Sequence, residues 1–147
     1  IQDDKGRIDR SLLGQIVFND SISRQRLNEL VHPAVIKRQK EFLESVEAED
    51  SSSIGIVDAA LMIEVGTYKN FDRILVVTCG RAQQRQRLYE RSALKEKEIE
   101  ARIASQFSLK EKVNYADFVI DNSSTLRQTR LQVEKVYEKL KKQSTMQ

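Results

Sequence analysis

Three short apolar runs, each closing on polar residues, limit what this chain can fold into: Ile54–Asp58, Asp72–Thr78 and Ala116–Asn122. Their hydrophobicity is continuous rather than alternating, which marks strands covered on both faces, as in parallel sheets. Helical patterns lie between and around the runs, so the expected architecture is α/β, a parallel sheet flanked by helices. Ligands in such sheets sit beyond the carboxyl ends of the strands. That makes Asp58, at the end of the first run, a site candidate, with Glu64 following it across a small-residue turn. A role for Asp58 as no more than a cap on that turn is the competing reading. The chain between the first two runs is too short for a long crossover helix, and another strand lying between them would resolve the difficulty.

The 147 residues suit one domain with a real core, and the composition of 39% hydrophobic and 32% charged residues argues against disorder. No apolar run is long enough to cross a bilayer, and the charged opening residues do not form a secretory signal. A single cysteine, Cys79, rules out an internal disulfide and fits a reducing compartment, so a cytoplasmic protein is expected. Cys79 itself reads as a small buried filler. The net charge of +3 is spread over interspersed acids and bases, so a dedicated nucleic-acid binder is not indicated and neither nucleic acid nor membrane is expected as a partner. A small polyanion remains possible. Oligomeric state is not legible.

Before the first run come three helical segments. Asp9 stands as the N-cap of the first, which carries Leu12, Leu13, Ile16 and Val17; Asn19-Asp20-Ser21 breaks it. The second carries Leu27, Leu30 and Val31. Pro33 should end it and open the third, because proline disfavours helical geometry in the residue before it. His32 then falls at a joint, facing a ligand or the core, with packing the default. Asp3-Asp4-Lys5-Gly6 is turn chemistry, and the chain opens within it.

Arg81–Arg91 is a strongly basic helix on which Gln84, Arg87 and Arg91 share one face. Two guanidiniums one turn apart suit phosphate oxygens, since each offers a planar fork of donors. A solvated charged face is the alternative. Further on, Ser108–Glu111 has the spacing of a capping box, as do Thr125 and Gln128, and a last helix carries Leu131, Val133, Val136, Tyr137 and Leu140. The basic residues from Lys141 should fray.

Taken in order, these stretches resemble dephospho-CoA kinase, a P-loop kinase family. The specific pieces are Gly6–Arg10, Ile16-Val17-Phe18, Leu27 through His32-Pro33, Asp58 through Glu64, Gln84-x-x-Arg87-Leu88 with Arg91, Arg102-Ile103-x-x-Gln106, and Lys112-x-x-x-Ala116-Asp117-x-Val119-Ile120-Asp121-Asn122. The resemblance implies a P-loop kinase-like sheet with a helical substrate-binding insertion and a helical lid. It implies transfer of the ATP γ-phosphoryl group to the 3′-hydroxyl of dephospho-CoA, with Mg2+. It further implies residues 1–53 as the coenzyme-binding region, 54–91 and 107–147 as the core, and 92–106 as the lid region.

Carried over by position, Arg87 and Arg91 belong to the lid helix over ATP, with Arg91 the phosphate contact and catalytic candidate. Asn122 lies beside the adenine. Asp58, Leu61 and Glu64 border the acceptor pocket, and Arg10 and His32 belong to the helical region that accepts the coenzyme. No metal ligand is assigned, and Gln106 matches a family position without a derived role. Ala60 stands where the family usually has proline, and Ser124 where it commonly has glycine. No Gly-x-x-x-x-Gly-Lys-Ser/Thr phosphate loop occurs in these residues. That loop, the family's acceptor-side Asp and a first strand are expected upstream of Ile1, and this chain alone is expected to be inactive. The alternatives are a non-catalytic coenzyme-binding fragment and another nucleoside or nucleotide kinase of the same fold. A basic RNA-binding module is the weakest option, as no aromatics interleave the arginines.

Overall fold

The computed structural model describes residues 1–2, 5–92 and 94–144, so the acidic half of the opening turn and the last residues of the basic tail lie outside the described residues. The chain forms two compact units, Ile1–Ser51 and Ser52–Gln147.

The first unit is a pair of helices, α1 (Arg10–Asn19) and α2 (Ser21–Glu49). Asp9 caps α1 as expected, its carboxylate accepting the Leu12 N–H at 3.0 Å. Asp20 separates the two helices and caps α2, accepting from the N–H groups of Ile22 at 3.0 Å and Ser23 at 3.2 Å. These are donors that a helix start otherwise leaves unpaired.

The expected break at His32-Pro33 is absent: α2 runs through Pro33 for 29 residues. Proline removes one backbone donor and crowds the carbonyl four residues earlier. Here the flanking turns, carrying good helix formers such as Gln25, Arg26, Leu27 and Lys37, keep the helix going. His32 is therefore a mid-helix residue rather than a joint. Half-buried positions recur at His32, Ile36, Gln39, Leu43 and Val46, the spacing of one helical stripe, but no described residue of α2 is fully buried.

The Asp20 carboxyl is held below the ordinary aspartate value of 3.8 by the Ser23 hydroxyl and then the Ile22 N–H. A lowered folded-state value means that the cap stabilises the helix above that pH and is lost as pH falls through it. Asp20→Ala is expected to fray the first turn at neutral pH, seen as faster amide exchange at Ile22 and Ser23 alone.

The second unit is an α/β layer. Strands β1 (Leu75–Thr78) and β2 (Phe118–Asp121) pair in parallel, with Leu75 opposite Phe118 and Thr78 opposite Asp121. Between them run α3 (Arg81–Arg91), α4 (Glu96–Ala104) and the short α5 (Leu109–Val113); α6 (Leu126–Ser144) follows β2. The second and third apolar runs are thus strands, as expected.

The first is not. Ile54–Asp58 forms no strand, and Ile56 is 76% exposed. A strand needs a neighbouring backbone to take up its N–H and C=O groups, and among the described residues no backbone hydrogen bond reaches this segment. The turn after it closes through Val65 N–H to Leu61 O at 3.0 Å and Gly66 N–H to Ile63 O at 3.1 Å. Gly66 sits at φ 77°, a left-handed conformation that favours glycine.

The core gathers Ile63, Ile74 and Val76, with Met62, Tyr68, Phe71 and Ala116 packed against them. Asp117 fixes the entry to the sheet, accepting the Ile74 N–H at 2.7 Å. The side of α6 that is half-buried carries Thr129, Gln132, Val136 and Leu140, while Leu131, Val133 and Tyr137 stay largely exposed. The difference from expectation follows from where α6 meets β2. Gln132 reaches the Asp121 backbone, accepting its N–H at 2.9 Å and donating to its carbonyl at 2.8 Å.

Candidate functional site

The carboxyl ends of β1 and β2 open onto two turns, Thr78-Cys79-Gly80 and Asp121-Asn122-Ser123, at the N-terminus of α3. The two turns are tied together. Asn122 N–H donates to Thr78 O at 2.8 Å, Gly80 N–H to the Ser123 hydroxyl at 3.2 Å, and the Gln83 amide to Ser123 O at 2.6 Å. Asp121 accepts the Ser123 N–H at 2.9 Å, and the Ser123 hydroxyl followed by that N–H holds its carboxyl below the ordinary aspartate value. Asn122 is oriented by Thr129, whose hydroxyl donates to Asn122 Oδ1 at 2.9 Å. Among the described residues the Asn122 amide nitrogen has no acceptor.

The arginines of α3 divide by face. Arg81 and Arg85 turn toward α4, Arg81 to Glu100, and Arg85 to Glu96 and at 2.7 Å to Glu100. These pairs are solvent-exposed, so they tether α4 with little net stabilisation, typically below about 1 kcal/mol each. Arg87 instead donates to the Asn122 carbonyl at 2.9 Å, bringing together two residues singled out in the sequence as nucleotide contacts. Arg91 lies one turn further along the same face, exposed, and its guanidinium has no partner among the described residues. Beside this helix a hollow of about 220 Å3 is lined by Cys79, Arg81, Gln84, Ile103, Gln106, Phe107 and others. Cys79 is a free, half-buried thiol rather than a fully buried filler.

The remaining candidates fall elsewhere. Asp58 is exposed, and among the described residues its carboxylate caps nothing in the following turn; Leu61 is 40% exposed. Glu64 is engaged. Its carboxylate pairs with Lys112 Nζ at 2.9 Å, with the two side chains only 13% and 11% exposed, and accepts the Phe107 N–H at 2.9 Å. Burial pushes the Glu64 carboxyl up, but the bonds from Lys112 and the Phe107 N–H outweigh it and leave the group below the ordinary glutamate value. Its Oε2 is buried with no partner among the described residues.

Lys112 opens one of the motifs shared with the family, but nothing in the sequence marks it as a site residue. It lies in a charged stretch, Lys110-Glu111-Lys112, that reads as surface. Arg10 and His32 belong to the first unit. Arg10 opens α1 and is exposed, and His32 lines an open hollow with Ser21, Arg24, Gln25, Asn28, Glu29 and Pro33.

The fold and site define an α/β protein with an arginine-bearing helix at the carboxyl edge of a parallel sheet. Comparison with known proteins narrows the class. The family described as dephospho-CoA kinase matches residues 1–128. Proteins named dephospho-CoA kinase from Aquifex aeolicus, Syntrophus aciditrophicus and Trichormus variabilis are 39%, 34% and 43% identical to it, over 95%, 95% and 88% of this chain. The chain spans 69%, 60% and 64% of their lengths, respectively.

Among solved structures, a crystal structure from Thermus thermophilus superposes with a TM-score of 0.74 at 28% identity, covering 92% of this chain and 69% of that one. Dephospho-CoA kinase from Campylobacter jejuni gives 0.66 at 28% identity, covering 95% of this chain and 69% of that one. The chain belongs to the dephospho-CoA kinase family.

Proposed function

We propose that this chain is the acceptor-binding and lid-bearing part of a dephospho-CoA kinase, which moves the ATP γ-phosphoryl group to the 3′-hydroxyl of dephospho-CoA in the last step of coenzyme A synthesis. The observation that carries this, beyond family membership, is the Arg87 bond to the Asn122 carbonyl. It sets the phosphate-suited face of α3 beside the loop after the last strand, where ligands of parallel sheets lie.

Phosphoryl transfer depends on positioning and charge neutralisation more than on covalent chemistry. Arg87 anchors α3 to the nucleotide loop, and Arg91, with no partner among the described residues, is available to phosphate oxygens. Asn122 offers its amide at the adenine edge. Asp58, just before the Ala60–Glu64 turn, and Leu61, within it, face the acceptor. Arg10 and His32 belong to the helical region that accepts the coenzyme, an assignment that rests on the family pattern. We further infer a cytoplasmic enzyme. No described helix is long and apolar enough to cross a membrane.

Magnesium is the metal such transfer uses, neutralising phosphate charge. Among the described residues no group of three or more His, Cys, Asp or Glu side chains could hold a metal ion. These side chains therefore build no cage for it, and no step is assigned to them through it.

The test is ADP release with ATP, magnesium and dephospho-CoA, measured on the full-length gene product and on residues 1–147. Turnover by the gene product, suppressed by dephospho-CoA analogues and not by nucleoside monophosphates, is the expected result. Preference for a nucleoside monophosphate acceptor would reassign the substrate. Coenzyme A binding without any turnover would make the protein a binding module.

A further inference from the structure

Lys112 is the one buried charged or polar residue among the described residues, at 8% exposure. An ammonium has three N–H donors, and three acceptors surround this one: Ala60 O at 2.7 Å, Glu64 Oε1 at 2.9 Å and Gln106 Oε1 at 3.3 Å. They come from different segments. Ala60 and Glu64 bracket the turn that follows the Ile54–Asp58 run, and Gln106 lies on the stretch leaving α4. The Phe107 N–H, donating to the same carboxylate, ties that stretch to the turn a second time.

Stability alone does not account for such a centre. Buried ion pairs can often be replaced by apolar side chains of similar volume at no cost. What the ammonium adds is direction, since its three donors fix two chain segments at set distances from one point. We propose that Lys112 is a positioning residue for phosphoryl transfer: it locks the Ala60–Glu64 turn against the segment returning from α4, so that the acceptor is held in line when α3 and α4 engage ATP. The proposal rests on the kinase reading above. It also gives Gln106 a role, as the link from the α4 side to the Lys112 centre.

The experiment is steady-state kinetics of the full-length gene product as wild type, Lys112→Met, Lys112→Arg and Gln106→Leu, with circular dichroism to establish folding. Lys112→Met is expected to raise KM for dephospho-CoA about tenfold or more while KM for ATP stays within about twofold, because misplacement is felt by the acceptor. Lys112→Arg should recover part of the loss. Gln106→Leu leaves Lys112 its other two acceptors and should raise the same KM by about threefold.

A merely structural role would lower the active fraction, dropping kcat with both KM values unchanged, and that pattern overturns the inference. If Lys112→Met does not fold, Gln106→Leu decides by the same criterion. Wild-type protein that does not phosphorylate dephospho-CoA overturns the kinase reading and this inference together. Normal wild-type turnover with an unshifted acceptor KM overturns this inference alone.

Discussion

Arg91→Ala in the full-length gene product is expected to lower kcat/KM for ATP by about 100-fold or more, the usual effect of removing one preorganised donor to developing charge. The ground is the division of labour along α3. Arg81 and Arg85 are neutralised by Glu96 and Glu100, Arg87 is committed to the Asn122 carbonyl, and Arg91 alone among the four lacks a partner within the described residues. A cation kept unpaired on the face of a paired one has no evident structural duty, so its removal should leave the unfolding midpoint unchanged.

Arg91→Lys should recover only part of the rate, because a point charge cannot present the planar fork. If the contact is made only in the transition state, kcat falls as far as kcat/KM; if it is made equally in the ground state, KM rises instead. A kcat/KM within about twofold of wild type would remove Arg91 from the phosphate site.

The second large effect concerns stability. Lys112→Met strands the Glu64 carboxylate, which is 13% exposed and would keep backbone N–H donors but no counter-charge. The expected loss is about 3–5 kcal/mol, as for other buried pairs broken from one side. Pairing Lys112→Met with Glu64→Leu should return much of that, because no charge is then left buried. Urea midpoints of the two single variants and the double variant measure the coupling directly.

The pH dependence gives a sign that packing alone cannot mimic. In the wild type the Glu64 carboxyl lies below the ordinary 4.5, so its contribution is complete above that pH and is lost as pH falls through the folded-state value. In Lys112→Met, burial without the cation pushes the carboxyl up instead. Stability should then increase on acidification from neutral pH, relative to wild type.

The parts of the fold legible beforehand are those dictated locally. Asp9 and Ser108 act as caps because their side chains satisfy donors three residues away, and the break read at Asn19-Asp20-Ser21 falls where Asp20 goes on to cap the next helix. The runs ending at Thr78 and Asp121 are strands because each has the other as a partner. Ile54–Asp58 carries the same signal and remains unpaired, since periodicity reports what a segment can do and pairing depends on what lies beside it. Pro33 misled for a related reason: it weakens a helix locally, but 29 residues of surrounding helix decide the outcome.

In the candidate site, the shared face of Arg87 and Arg91 follows from helical spacing alone. The Arg87 contact with Asn122 does not, as it joins residues 35 apart. The Lys112 centre was hidden for the same cause: its acceptors at Ala60 and Gln106 lie 52 and 6 residues away, and a lysine in a charged stretch looks like solvent-facing surface. A buried glutamate needs a counter-charge, but nothing local says which of 25 basic residues supplies it.

The strand pairing has a consequence for how this architecture can vary. Ile74 and Asp117 meet across 43 residues, a span that holds the whole excursion through α3, α4 and α5. The entropy of closing a loop grows only with the logarithm of its length, about 0.6 kcal/mol for each doubling. Residues added between α3 and α4 would therefore weigh little on the closed sheet, provided the Arg87 and Lys112 anchors at its base are kept. The excursion can change length and reach without the strands that carry it having to part.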